Sequence, residues 1–160
     1  MNQDFIFPED PINRIEDGIY LGDLQAAQNP QLLRANGIKR ILSLLEDFEY
    51  RTFDEFKYKQ IQIVDNRGSN LMQFIPECIQ FISEAQQRKE NILVHCVAGI
   101  SRSPSVLIAY FMVKYSDTYI GARNYVYTGR PGIYPNDGFI AQLQSLNIEQ
   151  HKRYLCRMPK

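Results

Sequence analysis

Residues 92–104 read ILVHCVAGISRSP. Three apolar residues lead into His95 and Cys96. A turn containing Gly99 follows, then Arg102, Ser103 and Pro104. The apolar run, extended back to Asn91, predicts a short buried strand. The stretch RSPSVLIAYFMVKY, residues 102–115, is apolar almost all round and predicts a buried helix. The chain thus turns from a strand through Cys96-x5-Arg102 into a helix N-terminus. Backbone N–H groups of Val97, Ala98, Gly99, Ile100, Ser101 and Arg102 can curl round one centre there, at the positive end of the helix dipole. The Arg102 guanidinium adds a planar fork suited to two phosphate oxygens. The same positive field favours a thiolate at Cys96. A nucleophile and an oxyanion site therefore share one loop.

The spacing Cys-x5-Arg alone is a weak motif, and an uninvolved buried cysteine beside a surface arginine has the same letters. The strand–loop–helix frame tips the reading toward chemistry. VHCVAGISRSP resembles the active-site signature of the cysteine-based protein tyrosine phosphatases, in their dual-specificity branch. Further stretches resemble that branch in the same order: IEDGIYLGDLQAAQNPQLLRANGIKRILSL, SVLIAYFM and GRPGIYPNDGFIAQL. The similarity runs over roughly residues 14–148.

The resemblance implies roles for further residues. Asp65 falls where IQIV ends and NRGSN begins, about 30 residues before Cys96, where the family carries its general acid. On residue type alone Asp65 equally starts a turn. Ser103 matches the family hydroxyl that donates to the thiolate, and it also suits a first helical turn. His95 neighbours Cys96, but adjacent strand residues face opposite ways, so it is not expected to serve as its base. In the family this histidine orders the loop. Asn136, in YPNDGF, resembles a loop-supporting asparagine and is equally a good helix N-cap.

The remaining periodicities fill in an α/β fold. Strands are predicted at 19–22, 38–45, 57–64 and 91–95, and helices at 30–36, 71–88, 102–115, 118–128 and 136–149. Pro76 inside the 71–88 pattern means a late start or a kink. Alternating strands and helices argue for a mainly parallel central sheet flanked by helices, as in the tyrosine phosphatase fold. Residues 1–13 read as an arm, 14–150 as the catalytic domain and 151–160 as a tail. In the acidic, aromatic segment 46–56, Phe48, Tyr50 and Phe53 are candidates for a wall beside the site.

Composition excludes other classes. The chain has 160 residues, enough for one core, and 18 basic side chains against 18 acidic ones. That balance gives no footprint for nucleic acid. No apolar run reaches membrane-spanning length, and the start lacks a signal-peptide layout. Cys78, Cys96 and Cys156 are too few and too far apart for a disulfide framework or a zinc set. A reducing, intracellular setting is the simpler reading, with the cytoplasm expected and the nucleus as the alternative. His151 is expected to be solvated.

The reading is a phosphatase that needs no metal or organic cofactor and acts on phosphorylated proteins. A same-fold enzyme for a phosphoinositide, glycan or RNA phosphate is the alternative. Phosphoinositide-directed relatives usually carry lysines in the loop, whereas this loop is uncharged before Arg102. A non-catalytic phosphoprotein-binding module is the third reading. It is disfavoured because Cys96, Arg102, Asp65 and Ser103 are all retained.

Overall fold

The strand predicted from Asn91 to His95 is the centre of the sheet. The computed structural model of the chain describes residues 6–47 and 49–156. Five strands are formed: β1 (Ile12–Glu16), β2 (Ile19–Gly22), β3 (Ile38–Leu45), β4 (Lys57–Gln62) and β5 (Asn91–His95). Their order is β1-β2-β5-β3-β4. The pairs β2–β5, β5–β3 and β3–β4 are parallel, while β1 joins β2 as an antiparallel edge. The sheet is therefore mixed but mostly parallel. Gly22 and Ser43 pair with His95 on either side, so three carboxyl ends converge where the Cys96 loop begins. In open parallel sheets that edge is where ligands bind.

Helices cover both faces. Short α1 (Leu24–Ala27) and α2 (Pro30–Ala35) lie over one face, where Ala26, Ala27 and Leu33 meet Ile38, Ile41, Phe56 and Leu93. The larger core lies on the other face, under α3 (Ile75–Gln87), α4 (Arg102–Tyr115), α5 (Tyr119–Gly129) and α6 (Asp137–Gln144). Every residue of α4 from Arg102 to Val113 is buried, as its unbroken apolarity requires. Such a helix has no solvent face, so its N-terminus is fixed from all sides.

Helix α3 takes the late start of the two outcomes expected, with Pro76 in its first turn, where a missing N–H costs nothing. Other elements differ from the sequence expectations. The predicted 136–149 helix is broken. Helix α6 stops at Gln144, and Asn147 caps a new short helix α7 (Ile148–His151), which runs into a 3-10 turn at Lys152–Tyr154. Tyr154 and Leu155 pack against the main core, and the Cys156 amide donates to Ser83 Oγ at 2.6 Å. At the other end, β1 takes Ile12 and Asn13 out of the expected arm and into the sheet. His151 is half-buried against Tyr154, with Nδ1 2.7 Å from the Asn147 carbonyl. Among the described residues no helix is long and apolar enough to cross a membrane.

Candidate active site

The loop from Cys96 to Arg102 leaves β5 and enters α4. A trans peptide is planar, so the N–H of each residue points opposite to the preceding carbonyl. All six carbonyls from Cys96 to Ser101 are held by donors from the surrounding structure. His95 Nδ1 lies 3.0 Å from the Cys96 oxygen, and the Leu24 amide donates to Val97 at 2.9 Å. Arg130 donates from Nη2 to Ala98 (3.4 Å) and from Nε to Gly99 (3.0 Å). The Tyr134 amide holds Ile100 at 2.7 Å, and Ser105 holds Ser101 through both its amide and its hydroxyl. With the carbonyls engaged by this surrounding frame, the amides of residues 97–102 turn the other way, toward a common centre. Gly99 makes the turn at φ 67°. A Cβ there would lie 2.6 Å from the Gly22 oxygen, so glycine is required by conformation and by space.

Cys96 and Arg102 face this centre at the end of the buried helix. Cys96 is 2% exposed, and its Sγ lies 3.1 Å from Ser103 Oγ. Arg102 is 6% exposed; its Nη1 donates to the Ile63 carbonyl at 3.1 Å and lies 3.8 Å from Glu46 Oε1. Its Nε is the one buried side-chain nitrogen or oxygen among the described residues without a hydrogen-bond partner. A buried charged donor left unpaired is costly, and an oxyanion on the loop would satisfy it.

His95 is wholly buried, with Nε2 2.6 Å from Ser43 Oγ and Nδ1 at the Cys96 carbonyl. Burial pushes its imidazole down to about 4. The Cys96 carbonyl opposes that shift, and the Arg102 charge adds to it. The neutral ring then donates from Nδ1 and accepts from Ser43. Its partners lie away from the thiol, as the strand alternation predicted.

Asp65 sits in the exposed turn after β4, and Asn136 ties it to the loop. Asn136 Nδ2 donates to Asp65 Oδ1 at 2.9 Å, its Oδ1 caps α6 at the Phe139 amide, and its own amide donates to Ser101 Oγ. The two readings of Asn136 are therefore both realised in one side chain. Helix α6 grips the same turn further along. Gln142 accepts from the Leu71 and Met72 amides and donates to the Ser69 carbonyl at 2.9 Å.

Cys96, Arg102, Ser103, Asp65, His95 and Asn136 are thus brought into one connected site. Of the wall candidates in 46–56, Phe53 and Tyr50 lie among the described residues. Phe53 packs on the smaller core, edge-to-face with Phe56 at 6.5 Å, because that face of the sheet is otherwise thinly covered. The Tyr50 hydroxyl is engaged by Ser43 and Gln60. Phe48 lies outside the described residues. Cys78 is buried in the core and Cys156 is partly buried; both thiols are free, and burial pushes that of Cys78 far up. Among the described residues no three or more His, Cys, Asp or Glu side chains are grouped to hold a metal ion.

Sequence reasoning missed Arg130, Glu46, Ser43 and Gln142. Arg130 is the most instructive: it is 1% exposed, and burial pushes its guanidinium down while Asp23, Cys96 and Asp10 charges act the other way. An arginine in the GRPG stretch reads as a surface turn residue until the fold closes over it.

Comparison with known proteins bears on the fold and the domain. The family model for the dual specificity phosphatase catalytic domain matches residues 19–149. Dual specificity protein phosphatase 1 of Arabidopsis thaliana is 39% identical over 132 residues, covering 82% of this chain and 67% of that protein. Human dual specificity protein phosphatase 7 is 42% identical over 127 residues, 78% of this chain but only 30% of its own length. The crystal structure of human tyrosine phosphatase-like serine/threonine/tyrosine-interacting protein superposes with a TM-score of 0.80 at 33% identity, covering 84% of this chain and 93% of that one. The family model spans most of the chain, and the relatives reach 39% and 42% identity over it: the chain belongs to the dual specificity phosphatase family, through its catalytic domain.

Proposed function

We propose that the chain hydrolyses phosphate monoesters on protein tyrosine and serine or threonine side chains through a phosphocysteine intermediate. The observation that carries this reading is the loop itself. Its amides converge on one centre, and the buried Arg102 Nε there lacks a partner. Cys96 Sγ attacks phosphorus in line while the ester oxygen leaves on the far side and takes a proton from Asp65. The amides of residues 97–102 and Arg102 hold the three equatorial oxygens as their charge redistributes. Water then gives a proton to Asp65 and attacks phosphorus. The sulfur leaves as thiolate, accepting a hydrogen bond from Ser103, which lies 3.1 Å away. His95 and Asn136 hold the loop and the acid. This chemistry calls for no metal or organic cofactor. On this reading the reacting groups all lie within the 14–150 domain, in a cytoplasmic or nuclear setting.

The test is Cys96→Ser. Hydrolysis of an aryl phosphate should vanish while inorganic phosphate or vanadate still binds, since amides and Arg102 remain. Turnover persisting above about one tenth of wild type would be incompatible with covalent catalysis at this sulfur. The same variant, used to retain phosphomolecules from a lysate, distinguishes phosphoproteins from phosphoinositide, glycan or RNA phosphates.

A further inference from the structure

The cradle depends on Arg130, and Arg130 depends on residues that precede the family-matched segment. Its Nη1 donates at 2.7 Å to both the Asp10 carbonyl and Asn13 Oδ1. These are its two shortest bonds; those to Gly99 and Ala98 are 3.0 and 3.4 Å. A guanidinium is a rigid plane, so fixing one edge aims the other. The edge fixed by Asp10 and Asn13 faces away from the loop, and the opposite edge holds the Ala98 and Gly99 carbonyls. Those carbonyls decide where the Gly99 and Ile100 amides point.

The segment is itself seated. The Asp23 amide donates to the Pro11 carbonyl at 3.0 Å. Gly132, at φ 99°, lets the backbone of Ile6 and Pro8 approach; a Cβ there would sit 2.5 Å from the Ile6 oxygen. Asn13 Nδ2 reaches Asp10 Oδ2 at 3.4 Å, which orients the amide so that its oxygen meets Arg130.

We propose that Asp10–Asn13 is a working part of the phosphate cradle, with Asn13 a positioning residue that sets the loop amides through Arg130. This deepens the phosphatase reading and rests on it for turnover, but anion binding tests it separately. Reciprocity makes the coupling two-way: if the segment orders the cradle, an anion in the cradle must order the segment.

The experiment compares wild type, Asn13→Ala, Asn13→Asp and the surface control Asp17→Ala in the full chain. The readouts are the Kd for inorganic phosphate, kcat/KM for an aryl phosphate and Tm. Removing one acceptor of a charged bond should weaken phosphate binding about three- to tenfold in Asn13→Ala. Asn13→Asp, which restores an oxygen acceptor, should return toward wild type, and Asp17→Ala should not move. In parallel, hydrogen exchange of the 6–16 stretch in wild type should slow when phosphate is added, a readout that survives if Asn13→Ala fails to fold. Unchanged phosphate affinity in Asn13→Ala, with or without a lower Tm, overturns the proposal, as does exchange in 6–16 that ignores phosphate. If wild type binds phosphate with these responses yet turns over no ester, the phosphatase reading fails and the coupling stands.

Discussion

Asp65 has an exposed carboxylate and, among the described residues, one side-chain donor, Asn136, at 2.9 Å. An acid that acts on the leaving oxygen matters in proportion to how badly that oxygen leaves. Asp65→Asn should slow turnover of a poor leaving group by roughly 10²–10⁴-fold and an activated aryl phosphate far less. Equal losses on both would assign Asp65 to the turn alone. His95 gives a different residue-level expectation. Its folded imidazole titrates at about 4 against 6.5 when free, so only the unfolded chain takes up the proton in between. The stabilisation from a neutral His95 is complete above pH 6.5 and fades as pH falls toward 4, by about 3 kcal/mol in all. Urea midpoints across that window should fall less steeply in His95→Gln, and parallel slopes would refute the assignment.

At the scale of elements, α6 is the piece that joins the Asp65 turn to the Cys96 loop. Asn136 touches Asp65 and Ser101 from its cap, and nearly two turns later Gln142 takes up three backbone groups of residues 69–72. Gln142→Ala should lower kcat on a poor leaving group by about tenfold or more through misplacement of Asp65. Phosphate affinity should hold, because the cradle keeps its own donors; a parallel loss of affinity would mean general loosening. Asn136 was legible because it sits in a local pattern, PNDGF, that both caps a helix and matches the family. Gln142 was not, because its partners lie some 70 residues earlier and exist only once the turn folds back. Strand β1 escaped notice for a related reason. INRIE carries only two apolar residues, and β2 supplies its hydrogen bonds. The break after Gln144 was hidden because Phe139, Leu143 and Leu146 keep helical spacing across it, while Asn147 starts a new cap.

Across the whole molecule, the parallel sheet and the Cys96 loop were readable from strand and helix periods, since those depend on neighbours in sequence. What the sequence left open is the depth of the site, which depends on how distant loops stack. Phe53 packs on the smaller core, and the Tyr50 hydroxyl is held by Ser43 and Gln60. We expect a shallow site, which would let a short phosphothreonine reach Cys96 as well as a long phosphotyrosine. Two peptides differing only at that residue should both be hydrolysed, the phosphotyrosine one faster because a phenolate leaves more readily. A phosphothreonine peptide left intact beside a rapidly cleaved phosphotyrosine twin would contradict this.

The grip of α6 on the acid turn has a consequence for the tempo of the reaction. Where an acid must swing in on a lid, solvent friction on that swing sets the pace. Here Asp65 is already roped to Asn136 and its turn to Gln142, so on the proposed mechanism the acid is expected to need no large excursion before bond breaking. The saturated rate should then be indifferent to added sucrose or glycerol for an aryl phosphate. A kcat that falls in step with relative viscosity would mean that the rope slips at every cycle.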